Sequence, residues 1–131
     1  MSASTRSISI LVIDDDPTSL ELAVAVLELE RYVVRTATTA EQGLELAMLE
    51  RPAVILMDLQ FPVGMSGLEA TRRLKAEPAA AAIPIVALTA SAMPQEEQAA
   101  RDAGCDAYLT KPLDAQALRE TLRRFLDHPA A

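Results

Sequence analysis

The sequence predicts an α/β protein with a doubly wound, five-stranded parallel sheet and helices on both faces. Five apolar runs that suit buried strands alternate along the 131 residues with segments of helical periodicity. Each helical segment is long enough to cross over to a parallel strand, which favours one domain with strand order 2-1-3-4-5. The strands are predicted at residues 8–13, 32–37, 54–58, 83–88 and 106–109, and the helices at residues 17–31, 38–51, 66–77, 94–103 and 114–127.

Composition and charge narrow the class of protein. Half of the residues are hydrophobic, and the formal net charge of −7 argues against a non-specific nucleic-acid binder. Cys105 is the only cysteine, so the chain forms no internal disulfide, which agrees with a reducing cytosol. No apolar stretch is long enough for a signal peptide or a membrane span. We therefore expect a cytoplasmic protein that binds neither nucleic acid nor membrane.

The two ends of the chain are expected to lie outside the domain. Residues 1–7 are small and polar and are predicted to be a flexible N-terminus. Residues 128–131 are predicted to be a C-terminal tail, with His128 solvated. The domain itself is predicted at residues 8–127.

The first predicted helix carries more apolar surface than one contact with a sheet needs. Pro17 suits its first position, with Asp16 as the N-cap. Two interpretations stay open: the helix is largely buried in its own domain, or one apolar stripe is a surface for a partner. The two stripes are Leu20, Val24 and Leu27, and Leu22, Val26 and Leu29.

Polar residues mark where the other helices begin. Thr39 with Gln42 and Ser66 with Glu69 have capping-box spacing, and Asp114 is the predicted cap of the last helix. The fourth helix has an apolar face of alanines only, so we expect it to be the least firmly anchored. The residues expected to face the core are Leu44, Ala47 and Met48 in the second helix, Leu68, Thr71 and Leu74 in the third, and Leu118, Leu122 and Phe125 in the fifth.

The third predicted strand, residues 54–58, is apolar until it ends on Asp58. An uninterrupted apolar run suits a strand that is covered on both faces. Asp58 then lies at the C-terminal end of a parallel strand, where open α/β sheets place their sites. Taken alone, the position of Asp58 suits a residue that only caps the following loop equally well.

Complementary polar groups follow four of the five strands. In the flavodoxin-like order 2-1-3-4-5 these four strands are neighbours, so the groups converge on one edge of the sheet. Clustered carboxylates without histidine or cysteine suit Mg²⁺, and a carboxylate can attack a phosphoryl group to form an aspartyl phosphate. No glycine-rich phosphate loop is present, which argues against a bound nucleotide. The converging residues are Asp14, Asp15 and Asp16 after the first strand, Asp58 after the third, Thr89 after the fourth and Lys111 after the fifth.

An ordered set of motifs resembles the receiver domain of two-component response regulators over residues 8–126, which is nearly the whole chain. The resemblance implies that Asp58 is the phosphoacceptor. It also implies that Asp15, Asp58 and the backbone carbonyl of Gln60 bind Mg²⁺ directly, with Asp14 helping through a water molecule. The motifs are Asp14-Asp15, Met57-Asp58, Pro62 with Gly67, Ala87-Leu88-Thr89-Ala90 and Thr110-Lys111-Pro112.

The same resemblance assigns the other site residues. Lys111 contacts the phosphoryl group and is followed by a cis peptide bond to Pro112. Thr89 and Tyr108 form a switch pair, in which Thr89 moves towards the phosphoryl group and Tyr108 changes its rotamer to follow.

Within that family, the chain most resembles stand-alone regulators of the cell-cycle and polar-development type, through residues 57–62 and 90–93. The resemblance implies a phosphorelay in which a histidine kinase or phosphotransfer protein docks near the first helix. It also implies a downstream protein target at the face formed by the fourth helix, fifth strand and last helix. We expect a monomer or weak dimer that is not an enzyme beyond its own phosphorylation and dephosphorylation.

One departure from the family pattern lies directly after the proposed phosphoacceptor. Pro62 and Gly67 are five positions apart, one more than the family usually has. Gly64 can absorb the extra residue by adopting a turn, and the path of this loop controls water access and partner docking.

Two other functions compete with the receiver prediction. Asp14-x-Asp16-x-Thr18 after an apolar strand also matches the first motif of haloacid-dehalogenase-type phosphatases, with Asp14 as nucleophile. Those enzymes need a further acidic pair after the lysine, whereas only Asp114 follows here, and Asp58 would have no role. The second alternative is a receiver-like binding module that is not phosphorylated.

Overall fold

A five-stranded parallel sheet in the order β2-β1-β3-β4-β5 organises the computed structural model, which describes residues 8–126. This confirms the predicted fold class and strand order. The predicted tails at residues 1–7 and 128–131, with His128, lie outside the described residues. The strands are β1 Ser9–Ile13, β2 Val33–Ala37, β3 Val54–Asp58, β4 Ile85–Thr89 and β5 Ala107–Thr110, and the helices are α1 Pro17–Leu29, α2 Ala40–Glu50, α3 Gly67–Ala76, α4 Pro94–Ala103 and α5 Ala115–Leu126.

The sheet is buried on both faces, as continuous apolar strands require. Every residue of β3 and of β4 is buried, because neighbouring strands flank both and helices cover them on each side. Alternate side chains enter two separate cores. Ile10, Leu56 and Leu88 pack with α1 and α5, whereas Leu11 and Ile55 pack with α2 and α3.

Side-chain caps begin the helices where the sequence predicted them. The Thr39 hydroxyl accepts a hydrogen bond from the Gln42 amide, and the Ser66 hydroxyl accepts one from Glu69, both at 3.1 Å. The Asp114 carboxylate accepts one from the Ala117 amide at 2.8 Å. Each bond satisfies an amide that has no partner inside its own helix. These contacts confirm the predicted N-caps.

The first helix is shorter than predicted, and it buries one residue of each apolar stripe, Leu27 and Val26. It ends at Leu29 rather than residue 31, because Arg31 has a left-handed backbone with φ 69° and the Tyr32 amide turns back to the Leu27 carbonyl. Leu29 is 78% exposed, so the second predicted stripe is not buried as a whole. The residues buried against the sheet are Ser19, Ala23, Val26 and Leu27. Ser19 and Ala23 are small and lie outside both predicted stripes, so a search for large apolar residues missed them.

The last two helices agree with the sequence in most respects. Helix α4 buries only Ala100 and Ala103, and its N-cap residue Met93 makes no side-chain hydrogen bond, which is consistent with weak anchoring. In α5, Leu118 and Leu122 are buried as expected, whereas Phe125 is only partly buried. No helix in the described range is both long and apolar enough to cross a membrane.

Candidate functional site

Four neighbouring strands bring the predicted site residues to one edge of the sheet. The parallel register aligns the strand ends, so residues at or just after those ends become neighbours in space. The aligned pairs are Ile13 with Met57, Asp58 with Leu88, and Thr89 with Thr110. The site residues at these ends are Asp14 after β1, Asp58 at the end of β3, Thr89 at the end of β4 and Lys111 after β5.

The Lys111 ammonium group lies among the carboxylates. Its Nζ is 3.0 Å from both carboxylate oxygens of Asp14, 3.6 Å from Asp58 Oδ2 and 4.0 Å from Asp16 Oδ2. Burial alone would lower the pKa of Lys111, but the hydrogen bond to Asp14 and the charges of the surrounding carboxylates raise it above its ordinary value. Lys111 is therefore a fixed positive charge beside the proposed phosphoacceptor.

Asp58 is a buried carboxyl group with few donors. Burial raises its pKa to about 7, and the nearby Asp14 carboxylate adds to that effect. The Gln60 amide, which donates to Asp58 Oδ1 at 3.2 Å, and the Lys111 charge act in the opposite direction. Without a further cation, this site therefore keeps its central carboxyl partly protonated near neutral pH.

Three carboxylates form a group that fits a hard cation. Asp14, Asp15 and Asp58 each offer one oxygen, and these oxygens all lie within 4.8 Å of one another. Asp14 Oδ2 is buried and accepts no hydrogen bond from the described residues, although Lys111 Nζ is near it. An all-oxygen donor set with an unsatisfied buried oxygen suits Mg²⁺.

Asp16 is the one member of the acidic run that turns away from this group. Its carboxylate caps α1 by accepting hydrogen bonds from the Thr18 amide at 3.1 Å and the Ser19 hydroxyl at 2.9 Å. The hydrogen bond from Ser19 lowers the pKa of Asp16. Asp16 is therefore mainly a helix cap, as its position before Pro17 predicted.

Thr89, Ser91 and Tyr108 are joined by hydrogen bonds on the far side of the site. The buried Thr89 hydroxyl accepts from the Ser91 amide at 3.2 Å, and the Tyr108 hydroxyl donates to the Ser91 carbonyl at 2.6 Å. Burial raises the pKa of Tyr108, and a hydrogen bond with the Thr89 side chain partly offsets this. Ser91 was not predicted as a site residue. The sequence feature that could have identified Ser91 is its position two residues after Thr89, where a threonine side chain commonly accepts a hydrogen bond from the backbone amide.

The peptide bond between Lys111 and Pro112 is cis, which is the isomer that the sequence predicts. The Lys111 amide also donates to the Thr89 carbonyl at 2.6 Å. The ends of β4 and β5 are thereby joined directly beneath the site.

The loop from β3 to α3 carries the extra residue. Gly64 adopts φ 82°, which confirms the predicted turn, and the Gly67 amide closes the base of the loop on the Leu59 carbonyl at 3.0 Å. The Met65 amide donates to the Glu41 carboxylate at 2.9 Å. Glu41 was missed by the sequence reasoning, because an exposed contact between residues 24 positions apart leaves no periodic signal.

A family model described as the response regulator receiver domain matches residues 10–123. The chain belongs to that family. As a receiver domain it is a signalling domain, and neither a phosphatase nor a non-phosphorylated binding module is favoured for it.

Named relatives agree with this assignment. The polar-differentiation response regulator DivK of Brucella anthropi is 35% identical over 118 residues, covering 90% of this chain and 95% of the relative. The DivK protein of Brucella abortus is 34% identical over 118 residues, and the match again covers 90% of this chain and 95% of the relative. The likeness to polar-development regulators predicted from residues 57–62 and 90–93 is thus confirmed.

Solved structures also resemble this receiver. The receiver domain of the sensor histidine kinase PA1611 from Pseudomonas aeruginosa PAO1, with a magnesium ion coordinated in its active-site cleft, has a TM-score of 0.85 and 31% identity, and the match covers 94% of this chain and all of that one. The chemotaxis protein CheY4 of Vibrio cholerae has a TM-score of 0.86 and 28% identity, with 92% of this chain covered.

Proposed function

We propose that this receiver domain accepts a phosphoryl group on Asp58 and transmits the change through protein contacts. The observation that carries the proposal is the position of the buried Asp58 carboxylate between Lys111, 3.6 Å away, and the acidic group with Asp14 and Asp15. The donor is a histidine kinase or phosphotransfer protein, as in the phosphorelays of the family. The domain also takes phosphoryl groups from small phosphodonors and hydrolyses its own aspartyl phosphate.

The residues of the site have separate roles in this transfer. An Asp58 oxygen forms the bond to phosphorus while the bond from phosphorus to the donor nitrogen or oxygen breaks. Lys111 neutralises negative charge on the phosphoryl oxygens. Mg²⁺, held by Asp14, Asp15, Asp58 and the backbone carbonyl of Gln60, supplies further positive charge there when it is bound.

Output follows from the change in charge at Asp58. A phosphoryl group adds strong acceptors beside the Thr89 hydroxyl. The Thr89 side chain turns towards the phosphoryl group and loses its hydrogen bond with the Ser91 amide. Tyr108 then breaks its hydrogen bond to the Ser91 carbonyl and adopts another rotamer. Helix α4, which buries only two alanines, moves with its preceding loop and changes the α4-β5-α5 face.

Chemical identification of the labelled residue tests the phosphoacceptor. The purified chain is treated with acetyl phosphate and Mg²⁺, reduced with borohydride, and mapped by mass spectrometry. The label is expected on Asp58, to disappear in Asp58→Asn, and to persist in the control Asp102→Asn on the exposed face of α4. Label on Asp14 would instead identify the phosphatase-type nucleophile.

The switch is tested separately with Thr89→Ala. This variant is expected to bind beryllofluoride and Mg²⁺ at Asp58, but to show much smaller NMR shifts in α4 and β5 than the unmodified chain. Absence of any shift near Asp58 and Thr89 in the unmodified chain would favour a binding module that is not phosphorylated.

A further inference from the structure

The β3–α3 loop, residues 60–66, passes directly beside the cation site but has few attachments at its tip. Its base is fixed, because the Gly67 amide donates to the Leu59 carbonyl and the Gln60 amide donates to Asp58. Apart from β3 and α3, which the loop connects, Glu41 is the only residue of a described helix or strand (residues 8–126) whose side chain forms a hydrogen bond with this loop. The tip itself is open to solvent, and Val63 is 80% exposed.

The fit between Glu41 and the loop is close. Gly64 has φ +82°, and a Cβ atom at this position would lie 2.7 Å from Glu41 Oε2. A side chain at this position would therefore push the end of the Glu41 side chain away from the place where it accepts from the Met65 amide at 2.9 Å. The hydrogen bond from the Met65 amide also lowers the pKa of Glu41, because it stabilises the charged carboxylate.

Glu41 is itself held in place by the packing of α2. It is the second residue of the helix, and its negative charge is favourable in the first turn. Ala40 and Gly43 in the same turn are buried, and the backbone of Gly43 lies directly against the Ile13 side chain. Since Ile13 precedes Asp14, the first turn of α2 is packed on the same strand end that supplies the acidic group.

We propose that Glu41 is a positioning residue for the phosphorylation site. By holding the extra-residue loop against α2, it adds to the hydrogen bonds at the loop base and so helps to keep the backbone from Asp58 through Gln60 in the geometry that binds the cation. The extra residue between Pro62 and Gly67 makes this role necessary. A longer loop has more conformations to lose when the cation binds, and the hydrogen bond to Glu41 reduces that loss in advance. The inference rests on the function proposed above, because it assumes that Mg²⁺ binds at Asp14, Asp15 and Asp58.

Two measurements on the full chain test this role. Isothermal titration with Mg²⁺ alone gives the affinity, and NMR hydrogen exchange without metal reports whether the Met65 amide is held. Glu41→Ala is expected to expose the Met65 amide to faster exchange and to weaken Mg²⁺ binding by about threefold or more. Glu41→Gln keeps an acceptor oxygen and is expected to retain most of the affinity.

The matched control is Glu45→Ala, one turn further along α2. Glu45 is exposed and carries the same charge, and its side chain makes no hydrogen bond or ion pair with the described residues. Its removal is expected to leave both measurements unchanged, which separates the loop contact from a general loss of negative charge. If Glu45→Ala weakened Mg²⁺ binding as much as Glu41→Ala, the positioning role would be wrong.

A second variant approaches the same contact from the loop. Gly64→Ala strains the backbone of the loop and displaces the Glu41 carboxylate, so we expect faster exchange of the Met65 amide and weaker Mg²⁺ binding. This variant keeps the test available if Glu41→Ala does not fold. Faster Met65 exchange with unchanged Mg²⁺ affinity in the variants would overturn the proposal. Failure of the unmodified chain to bind Mg²⁺ or to label Asp58 would instead overturn the proposed function.

Discussion

Gly67 lies against the backbone of Asp58 more closely than any side chain allows. A Cβ atom there would be 1.9 Å from the Asp58 carbonyl oxygen and 2.7 Å from Leu59 Cα. The obstacle is backbone rather than a flexible side chain, so the end of β3 would have to move. The glycine at position 67 of the motif therefore has a direct steric reason in this structure.

Gly67→Ala is expected to damage the site and the fold together. Displacement of the Asp58 backbone should lower the free energy of unfolding by about 1–3 kcal/mol and weaken Mg²⁺ binding. Urea unfolding and Mg²⁺ titration measure the two effects. Affinity equal to that of the unmodified chain would show that the strand end accommodates the added methyl group.

The protonation of Asp58 should make Mg²⁺ binding depend on pH. Because burial raises the pKa of Asp58 to about 7, a proton competes with the cation below that pH and not above it. The affinity for Mg²⁺ is expected to fall about tenfold between pH 8 and pH 6. Titrations across this range check the slope, and Asp58→Asn should bind weakly with little pH dependence.

Among the secondary-structure elements, helix starts were easier to predict than helix faces. An N-cap depends on a side chain and an amide three residues later, as for Thr39 and Gln42, so its signal is local. The buried face of α1 depends on how closely the helix approaches the sheet. Ala23 lies at that contact while Leu29 is exposed, and the sequence alone does not reveal which stripe is chosen.

The end of α1 offers a stability test at the same scale. Arg31 has φ 69°, a conformation that glycine adopts without a Cβ clash. Arg31→Gly is therefore expected to raise the free energy of unfolding by up to about 1 kcal/mol. The matched change Arg72→Gly, inside α3, should lower it by about 1 kcal/mol. Urea denaturation of both variants measures the difference, and a loss of stability in Arg31→Gly would contradict the argument.

For the whole molecule, strand order made the site predictable. Parallel neighbours place their C-terminal ends together, so Asp14, Asp58, Thr89 and Lys111 could be grouped from the sequence before any distance was known. The Glu41–Met65 hydrogen bond could not, because it joins two exposed segments whose approach depends on the final loop path.

Mg²⁺ should stabilise the folded chain as a whole. The carboxylates of the acidic group repel one another, and a cation that binds only the folded state shifts unfolding by mass action. At ten times its dissociation constant, Mg²⁺ is expected to add about 1.4 kcal/mol to the free energy of unfolding. Thermal denaturation with Mg²⁺ and then with excess chelator measures this. In Asp58→Ala the gain should be largely lost, and a full gain there would place the cation elsewhere.

The hydrogen bond from Lys111 to Asp14 joins residues that are 97 positions apart. A nascent chain on the ribosome therefore has no Lys111 beside Asp14 and Asp58 until almost all of the domain has emerged. Fragments that end before Lys111 retain Asp58 but lack the ammonium group that lies 3.6 Å from its carboxylate in the folded chain. On the proposed function, phosphorylation of Asp58 is therefore expected only in chains that have been synthesised and folded through Lys111.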